Sequence, residues 1–345
     1  MNRLTLLTTT AFVALCASLP ALADNATITQ TGETSGYAVQ HQPGTYYGGA
    51  TNDTATIVQQ SGTNDTATQE QARLSDVNDF DYAGTDTITQ TSNVYATANQ
   101  EDNGNGGNSE TVTQTGNVNS ATSQTINNEF GYNNTQTSTQ TGNELSSVTQ
   151  VNGYYATNGG TGSYNNQTAT QTGQYASGIS QTIDGASGSN TQTATQNSGG
   201  SFNNISTFIE NGSSNNVSQT QDTNAFANVQ TANITSSNAN QIEQYQGMGS
   251  SSNTQTVAIG DYTGSSNNGT ALQYQANGVT GGSQTITQDG GGSNNQAGQG
   301  QGSSSSVESI TQSGGSGNIA IQNQGLNYGN AGYMYVNGSG QVAHF

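Results

Sequence analysis

The chain repeats a strand-turn-strand unit, and this repeat restricts the fold more than any other feature of the sequence. Its clearest copy covers residues 109–124, SETVTQTGNVNSATSQ. Val112, Gln114 and Gly116 are two residues apart there, so they face the same side of an extended backbone. A single hairpin of this length is not stable in water. The sequence therefore predicts that copies of the unit stack on one another.

The second half of the same copy continues the alternation. Gly116 and Asn117 are expected to form the turn, because both residue types tolerate a positive φ angle. Asn119, Ala121 and Ser123 then share one face of the second strand. We expect Ala121 to pack between two sheets together with the equivalent apolar residues of other copies: Ile28, Ile88, Val112, Val217, Ile286 and Ile310.

The composition excludes an ordinary globular enzyme. Only 29% of the 345 residues are hydrophobic and tryptophan is absent, so the chain cannot bury an apolar core of ordinary size. We expect no catalytic residue, no cofactor and no metal site. The chain has only two prolines, and Val or Ile alternates with Gln at fixed positions, which argues against disorder. The predicted fold class is all-β, a β-solenoid or cross-β stack of strand-turn-strand repeats.

Alignment of the copies predicts columns of amide side chains. About twelve copies lie between residues 24 and 325, most of them 23 to 31 residues long. The first strands carry one glutamine series: Gln30, Gln60, Gln90, Gln114, Gln140, Gln171, Gln196, Gln219, Gln288 and Gln312. The second strands carry another: Gln42, Gln71, Gln100, Gln181, Gln230, Gln275, Gln301 and Gln324. Three asparagines after the turn complete the predicted columns: Asn119, Asn224 and Asn318.

Stacked amides can replace a large apolar core. Strands of successive copies pair at roughly 4.8 Å, so identical Gln and Asn side chains lie above one another and hydrogen-bond along the stack. Each amide carries both donors and acceptors, and a buried column therefore satisfies itself. The strands at the two ends of such a stack remain unpaired and are templates for another chain.

The N-terminal segment has the pattern of a signal peptide. Arg3 is followed by a largely apolar run over residues 4–17, and Ala21-Leu22-Ala23 matches a signal-peptidase site. We therefore divide the chain into a signal peptide (1–23), a repeat domain (24–325) and a C-terminal tail or cap (326–345). No other segment approaches the roughly 20 apolar residues of a membrane helix. The sequence predicts a secreted, extracellular protein.

The chain is strongly acidic after this leader. All 21 acidic residues follow residue 23 and Arg73 is the one base there, which gives 21 − 1 = 20 net negative charges. This charge argues against nucleic acid and anionic membranes as partners. Salt should speed self-assembly because it screens the repulsion. Asp65, Asp102 and Glu129 are expected to slow assembly until the chain is exported.

The spacing resembles the curlin repeat of curli subunits. The motif Ile/Val-x-Gln-x-Gly-x-x-Asn-x-Ala-x-x-x-Gln recurs over most of residues 24–324, and one copy matches it at Asn318, Ala320 and Gln324. The chain has more than twice the number of repeats usual in that family. The resemblance implies a cell-surface amyloid-type fibre that serves adhesion and the biofilm matrix. It also implies self-association, a nucleator subunit and a dedicated outer-membrane secretion channel as partners.

Asp76, Asn78, Asp79 and Asp81 form an acidic group with oxygen-ligand spacing. The glycine turn and closing glutamate of a calcium-binding EF-hand loop do not follow, so we interpret the group as a solvated loop.

A second class of function is open at this point. Outward threonines, as in Thr27-Ile-Thr29 and Thr168-Ala-Thr170, would form a flat hydroxyl array on a β-solenoid. Such an array suits a monomeric secreted protein that binds ice or polysaccharide, with residues 326–345 as an end cap. An elongated adhesin stalk is a third alternative.

Overall fold

A computed structural model describes residues 12–13, 25–41, 54–71, 84–103, 107–127, 133–153, 164–185, 188–260, 268–289, 292–325 and 331–345. The structure is all-β, and the described ranges contain no helix. Its parallel strands stack as a β-solenoid, which confirms the predicted fold class. The described ranges also lack any apolar helix of membrane-spanning length.

The chain divides into two compact units. Unit 1 contains residues 1–172 and 183–186, and unit 2 contains residues 173–182 and 187–345. The strands of unit 1 are β1 (Phe12–Val13), β2 (Asn25–Thr31), β3 (Tyr37–His41), β4 (Thr54–Gln60), β5 (Thr66–Gln71), β6 (Thr85–Thr91), β7 (Thr97–Asp102), β8 (Ser109–Thr115), β9 (Ala121–Ile126), β10 (Thr135–Thr141), β11 (Ser147–Asn152) and β12 (Asn166–Thr172). The residues of β13 (Gly178–Asp184) are shared between the two units.

The strands of unit 2 are β14 (Thr191–Gln196), β15 (Asn204–Glu210), β16 (Asn216–Gln221), β17 (Val229–Thr235), β18 (Gln241–Gln246), β19 (Thr254–Ile259), β20 (Thr270–Gln275), β21 (Ser283–Asp289), β22 (Gln296–Gln301), β23 (Val307–Ser313), β24 (Ile319–Gln324), β25 (Ala331–Asn337) and β26 (Val342–His344). The last two strands come from the segment that the sequence marks as a tail or cap. They pair in parallel with β23 and β24.

Each unit contains two parallel sheets, because every strand pairs with the strand two places further along the chain. In unit 1 one sheet has the order β2-β4-β6-β8-β10-β12 and the other β1-β3-β5-β7-β9-β11. In unit 2 the orders are β14-β16-β18-β20-β22-β24-β26 and β15-β17-β19-β21-β23-β25. We call two consecutive strands a rung, and we call residues at paired positions of successive strands in one sheet a column.

Side chains alternate between the inside and the outside of each unit. Strand β8, for example, buries Glu110, Val112 and Gln114 and leaves the residues between them half-buried. The apolar part of the unit 1 core is narrow and is formed by two facing columns: Ile28, Ile57, Ile88 and Val112 from one sheet, and Ala38, Ala67 and Ala98 from the other.

The second strand of the 109–124 copy has the opposite phase to the prediction. Ala121 lies on the exposed face, and Thr122 is buried in the column of Ala98. The Thr122 hydroxyl donates to Oε1 of Gln140 at 2.9 Å. The expectation for Ala121 is therefore wrong. A shift of one residue moves every side chain of a strand to the other face.

The turn of this copy contains two left-handed residues. Gly116 has a φ of 62°, as predicted, but the second residue with a positive φ is Asn119, at 49°. Asn117 is buried beside the core instead. The turn therefore extends to Asn119, one residue beyond the reversal at Gly116-Asn117-Val118 that the sequence predicts.

Candidate functional site

The most distinctive feature of unit 1 is a continuous column of buried glutamines. Its members are Gln30, Gln59, Gln90, Gln114, Gln140 and Gln171. Each side-chain Nε2 donates to Oε1 of the next member. The distances are 2.7 Å from Gln59 to Gln90 and 2.8 Å from Gln90 to Gln114. The next two bonds, which end at Gln140 and Gln171, are also 2.8 Å long.

The facing strand fixes the direction of these bonds. Nε2 of Gln59 donates to the carbonyl oxygen of Tyr37 at 3.2 Å, and Nε2 of Gln114 donates to that of Thr97 at 3.1 Å. A carbonyl only accepts, so the nitrogen of each amide must face it. The column consequently runs from donor to acceptor toward higher residue numbers.

A second glutamine column lies on the opposite sheet of unit 1. Its members are Gln40, Gln69, Gln100, Gln124 and Gln150. Their successive Nε2 to Oε1 distances are 2.8, 2.8, 2.9 and 2.7 Å. Nε2 of Gln40 and Gln69 also donates to the carbonyl oxygens of Thr27 and Thr56, at 3.1 and 3.0 Å. The two columns therefore have the same direction.

Unit 2 also contains several columns. The longest set of side-chain bonds joins Gln219, Gln244, Gln273, Gln299 and Gln322, with distances of 2.6, 2.8, 2.9 and 3.3 Å. A parallel column in the same sheet contains Gln196, Gln221, Gln246, Gln275, Gln301 and Gln324.

The opposite sheet of unit 2 also carries columns. Gln288 and Gln312 bond at 2.9 Å in one of them, and another contains Gln230, Gln255, Gln284 and Glu308. Gln181 is buried on β13.

Gln60 is not a column residue. It is exposed, and Gln59 occupies the buried position opposite Gln30. Gln60 was the expected column residue because Gln30, Gln60 and Gln90 are 30 residues apart. The adjacent Gln59 is the true member, and Ser61, not Gly62, begins the turn with a φ of 56°. The predicted register is therefore wrong by one residue.

The second-strand series is also displaced at its start. Gln71 is buried but is paired with Asp102, and Gln69 lies in the column of Gln100. A shift of two residues keeps a side chain on the same face and moves it to the neighbouring column. Gln42 lies outside the described residues, and Gln40 fills the equivalent position.

The later first-strand glutamines do not form a single series. Gln219 pairs with Ala194, so it lies one column away from Gln196. Gln288 and Gln312 belong to β21 and β23, in the opposite sheet of unit 2 from Gln219. The loops differ in length, and sequence spacing therefore does not identify the sheet to which a strand belongs.

Asparagines form a second type of column, at the edge of the core. In unit 1 the backbone N–H of Asn117 donates to Oδ1 of Asn93, and that of Asn143 donates to Oδ1 of Asn117, both at 2.8 Å. Nδ2 of Asn117 donates to the carbonyl oxygen of Gln140 at 3.1 Å. Each of these side chains thus bonds to the rung that follows it, and the column joins three successive rungs.

Two of the three predicted asparagines lie outside these columns. Asn119 and Asn224 are exposed, with φ angles of 49° and 58°. They occupy left-handed turn positions, which asparagine tolerates better than most residues. Asn318 is buried, and its backbone N–H donates to Oδ1 of Asn295 at 3.1 Å.

Several carboxyl groups occupy amide positions in the columns, which the sequence analysis did not anticipate. Glu110 is fully buried between Asp86 and Gln136 in the register of β6, β8 and β10. Burial raises the pKa of Glu110 well above its ordinary value, and the charge of Asp86 raises that pKa further. Asp102 and Glu101, from β7, act in the same direction.

Glu308 and Asp65 show the same effect. Glu308 accepts a hydrogen bond from Nε2 of Gln284 at 2.8 Å, and burial raises its pKa to about 7. Asp65 accepts from the backbone N–H of Ala96 at 3.0 Å, and burial raises its pKa to about 6. Asp65 and Asp102 are buried, and their slowing of assembly stays a prediction. Glu129 and the acidic group at residues 76–81 lie outside the described residues.

The ends of the columns are chemically different. At the first rung of unit 1, Oε1 of Gln30 and Oε1 of Gln40 are buried, and the described residues provide no hydrogen-bond donor for them. In unit 2, Nε2 of Gln322 is buried, and the described part of the chain provides no acceptor for it. An amide column that runs in one direction must begin with an unused acceptor and end with an unused donor.

The outer face of unit 1 carries threonine in register. Six threonines form an unbroken column along the sheet that begins with β2: Thr27, Thr56, Thr87, Thr111, Thr137 and Thr168. A neighbouring column contains Thr89, Thr113, Thr139 and Thr170, and Val58 interrupts it after Thr29.

This sequence matches no protein-family model and no curated protein.

Proposed function

We propose that the chain is a structural subunit of an extracellular, curli-like amyloid-type fibre that self-assembles end to end and serves cell adhesion and the biofilm matrix. The observation that carries this proposal is the pair of buried acceptors at the first rung, Oε1 of Gln30 and Oε1 of Gln40. A buried acceptor without a donor is costly, by about 1–3 kcal/mol. Another rung carrying amide donors would remove that cost.

The backbone at this end supports the same proposal. Strand β2 is the first strand of its sheet and pairs on one side only, with β4. A parallel strand edge presents N–H and C=O groups that another chain can pair with. Addition of a second copy there would continue the backbone pairing of the sheet.

The sequence supports the extracellular setting and the partners. The signal-peptide pattern of residues 1–23 and the curlin-like spacing both favour export. By the same resemblance, a nucleator subunit and an outer-membrane secretion channel are proposed partners. The role is structural and requires no catalytic residue.

A seeding experiment tests this proposal. The chain from residue 24 should bind an amyloid dye, form fibres visible by electron microscopy and elongate preformed seeds, and salt should speed the reaction. Gln30→Glu places a charge at the first rung and should slow seeded growth strongly, whereas Thr29→Glu, on the outer face, should change it little. A chain that stays monomeric at high concentration and in salt would overturn the proposal.

The threonine columns favour one other function. Six outward hydroxyls in register make unit 1 suitable for a monomeric secreted protein that binds ice or polysaccharide. In that case Thr111→Tyr should abolish inhibition of ice recrystallisation or binding to polysaccharide. The same variant should leave fibre growth nearly unchanged if the fibre proposal is correct.

A further inference from the structure

The last rung of unit 2 differs from the rungs below it. Strand β25 places Val336 opposite Gln312, and Phe345, which follows β26, lies beside Gln322. The Gln312 column and the Gln322 column therefore reach this rung, and neither continues through it.

A comparison of Gln288 with Gln312 shows what the last rung lacks. Nε2 of Gln288 donates to two backbone carbonyl oxygens, those of Thr270 and Asn295, and also to Oε1 of Gln312 at 2.9 Å. Nε2 of Gln312 donates to the equivalent carbonyl oxygens, those of Gln296 and Asn318. The position of the third acceptor is taken by the buried side chain of Val336.

The backbone of the last rung is nevertheless regular. Strand β25 pairs with β23 over seven residues, from Ala331 to Asn337. The backbone N–H of Phe345 donates to the carbonyl oxygen of Ile321 at 2.9 Å. This rung can therefore continue a sheet through its backbone, although it offers no amide side chain to the glutamine columns.

We propose that the first rung, residues 25–41, binds the end of a second copy once residues 1–23, and with them strand β1 on the edge of β3, are removed. In this proposal β25 and β26 weaken the joint, because they offer no amide donors to Gln30 and Gln40. Only backbone pairing then holds the two copies together, so the last rung slows elongation. We call this effect the brake. This inference rests on the proposed fibre function. It predicts that a glutamine placed in the last rung strengthens self-association.

Two gain-of-function variants test the inference in the chain from residue 24. Val336→Gln extends the Gln312 column, and Phe345→Gln places an amide beside Nε2 of Gln322. Each should lower the critical concentration for fibre formation about fivefold, the factor that one net hydrogen bond of about 1 kcal/mol gives. Val336→Leu and Phe345→Leu are the matched controls and should leave it unchanged. Phe345 is 62% exposed, so its replacement should not impair folding. The Phe345 variants therefore provide the test if the Val336 variants do not fold.

The outcomes separate the two proposals. Fibres with equal critical concentrations for the Gln and Leu variants would overturn the brake and leave the fibre function intact. Monomers for every variant, including the parent chain, would overturn the fibre function. A monomeric parent chain and a fibre-forming Val336→Gln variant would establish the brake and show that the parent chain is a capped monomer.

Discussion

Glu110 lies directly beside Gln136 in the parallel register of β8 and β10, and both side chains are fully buried. Among the described residues, Oε1 of Gln136 has no hydrogen-bond donor, and neither carboxyl oxygen of Glu110 is bonded to another side chain. A neutral carboxylic acid has the shape of a carboxamide and one O–H donor. Protonated Glu110 can therefore take the place of a glutamine and donate to Gln136.

Stability should consequently fall as the pH rises. The folded-state pKa is about 6 for Asp65 and about 7 for Glu308, above the ordinary values of 3.8 and 4.5. A raised folded-state pKa gives stability that is present in acid and lost as the pH passes from the ordinary value to the raised one. We expect the urea midpoint to decrease between pH about 4 and about 7.

Glu110→Gln should remove part of this pH dependence. The amide needs no proton to remain neutral, so the variant should be more stable than the parent chain at pH 7 and similar at pH 4. Glu144→Gln is the matched control because Glu144 is exposed. An unchanged midpoint for Glu110→Gln at pH 7 would contradict the assignment of Glu110 as a neutral column member.

Gln114 and Thr113 provide a test of the columns themselves. Gln114 is buried between Gln90 and Gln140, whereas Thr113 is half-buried on the outer face. Gln114→Glu should destabilise unit 1 at pH 7 by about 3 kcal/mol, because the new carboxyl must either be buried with its charge or take up a proton well above its ordinary pKa. Thr113→Glu should cost about 0.5 kcal/mol or less. Hydrogen exchange of peptides from β6 to β10 measures both effects, and equal losses of protection would argue against the columns.

Gln59 and Gln60 test the register. Gln59→Ala removes a member of the first column and leaves the amides of Gln30 and Gln90 without their partner, at a cost of about 1–3 kcal/mol. Gln60→Ala changes an exposed side chain and should be nearly neutral. Thermal unfolding of the two single variants distinguishes the registers, since the opposite ranking would require a strand shifted by one residue.

Asn117 and Asn119 separate a column residue from a turn residue. Asn117→Ala removes both side-chain hydrogen bonds to the next rung, those with Gln140 and Asn143, and should destabilise unit 1 by about 2 kcal/mol. Asn119→Gly should be neutral or slightly stabilising, because glycine adopts a φ of 49° without strain. A large loss for Asn119→Gly, measured by urea unfolding, would show that its side chain has a structural role.

The sequence was sufficient to predict the fold class, because alternation of Ile or Val with Gln has a period that suits only strands. Gln90, Gln114 and Gln140 were placed in one column, since a glycine follows two of them two residues later and marks the turn. Registers near Gln60 and Asn119 were not predictable, because neighbouring amides satisfy the same pattern when it shifts by one or two residues.

The burial of Asp86 and Glu110 could not be predicted from the sequence for a different reason. Asp86 and Glu110 look like ordinary surface residues in a chain this acidic, and no charge pattern separates them from the others. Alignment of β6, β8 and β10 by their hydrogen-bonded columns, rather than by spacing, would have placed Glu110 opposite Gln136. The sheet that holds Gln288 depends on variable loops and could not be read from the sequence.

Helical reconstruction by electron cryomicroscopy of fibres grown from the chain starting at residue 24 tests the central claim most directly. The account predicts that a rung spacing of about 4.8 Å continues without a break from one copy to the next, with Gln30 and Gln40 buried at the joint. Fibres in which copies associate side by side and Gln30 and Gln40 face solvent would contradict it.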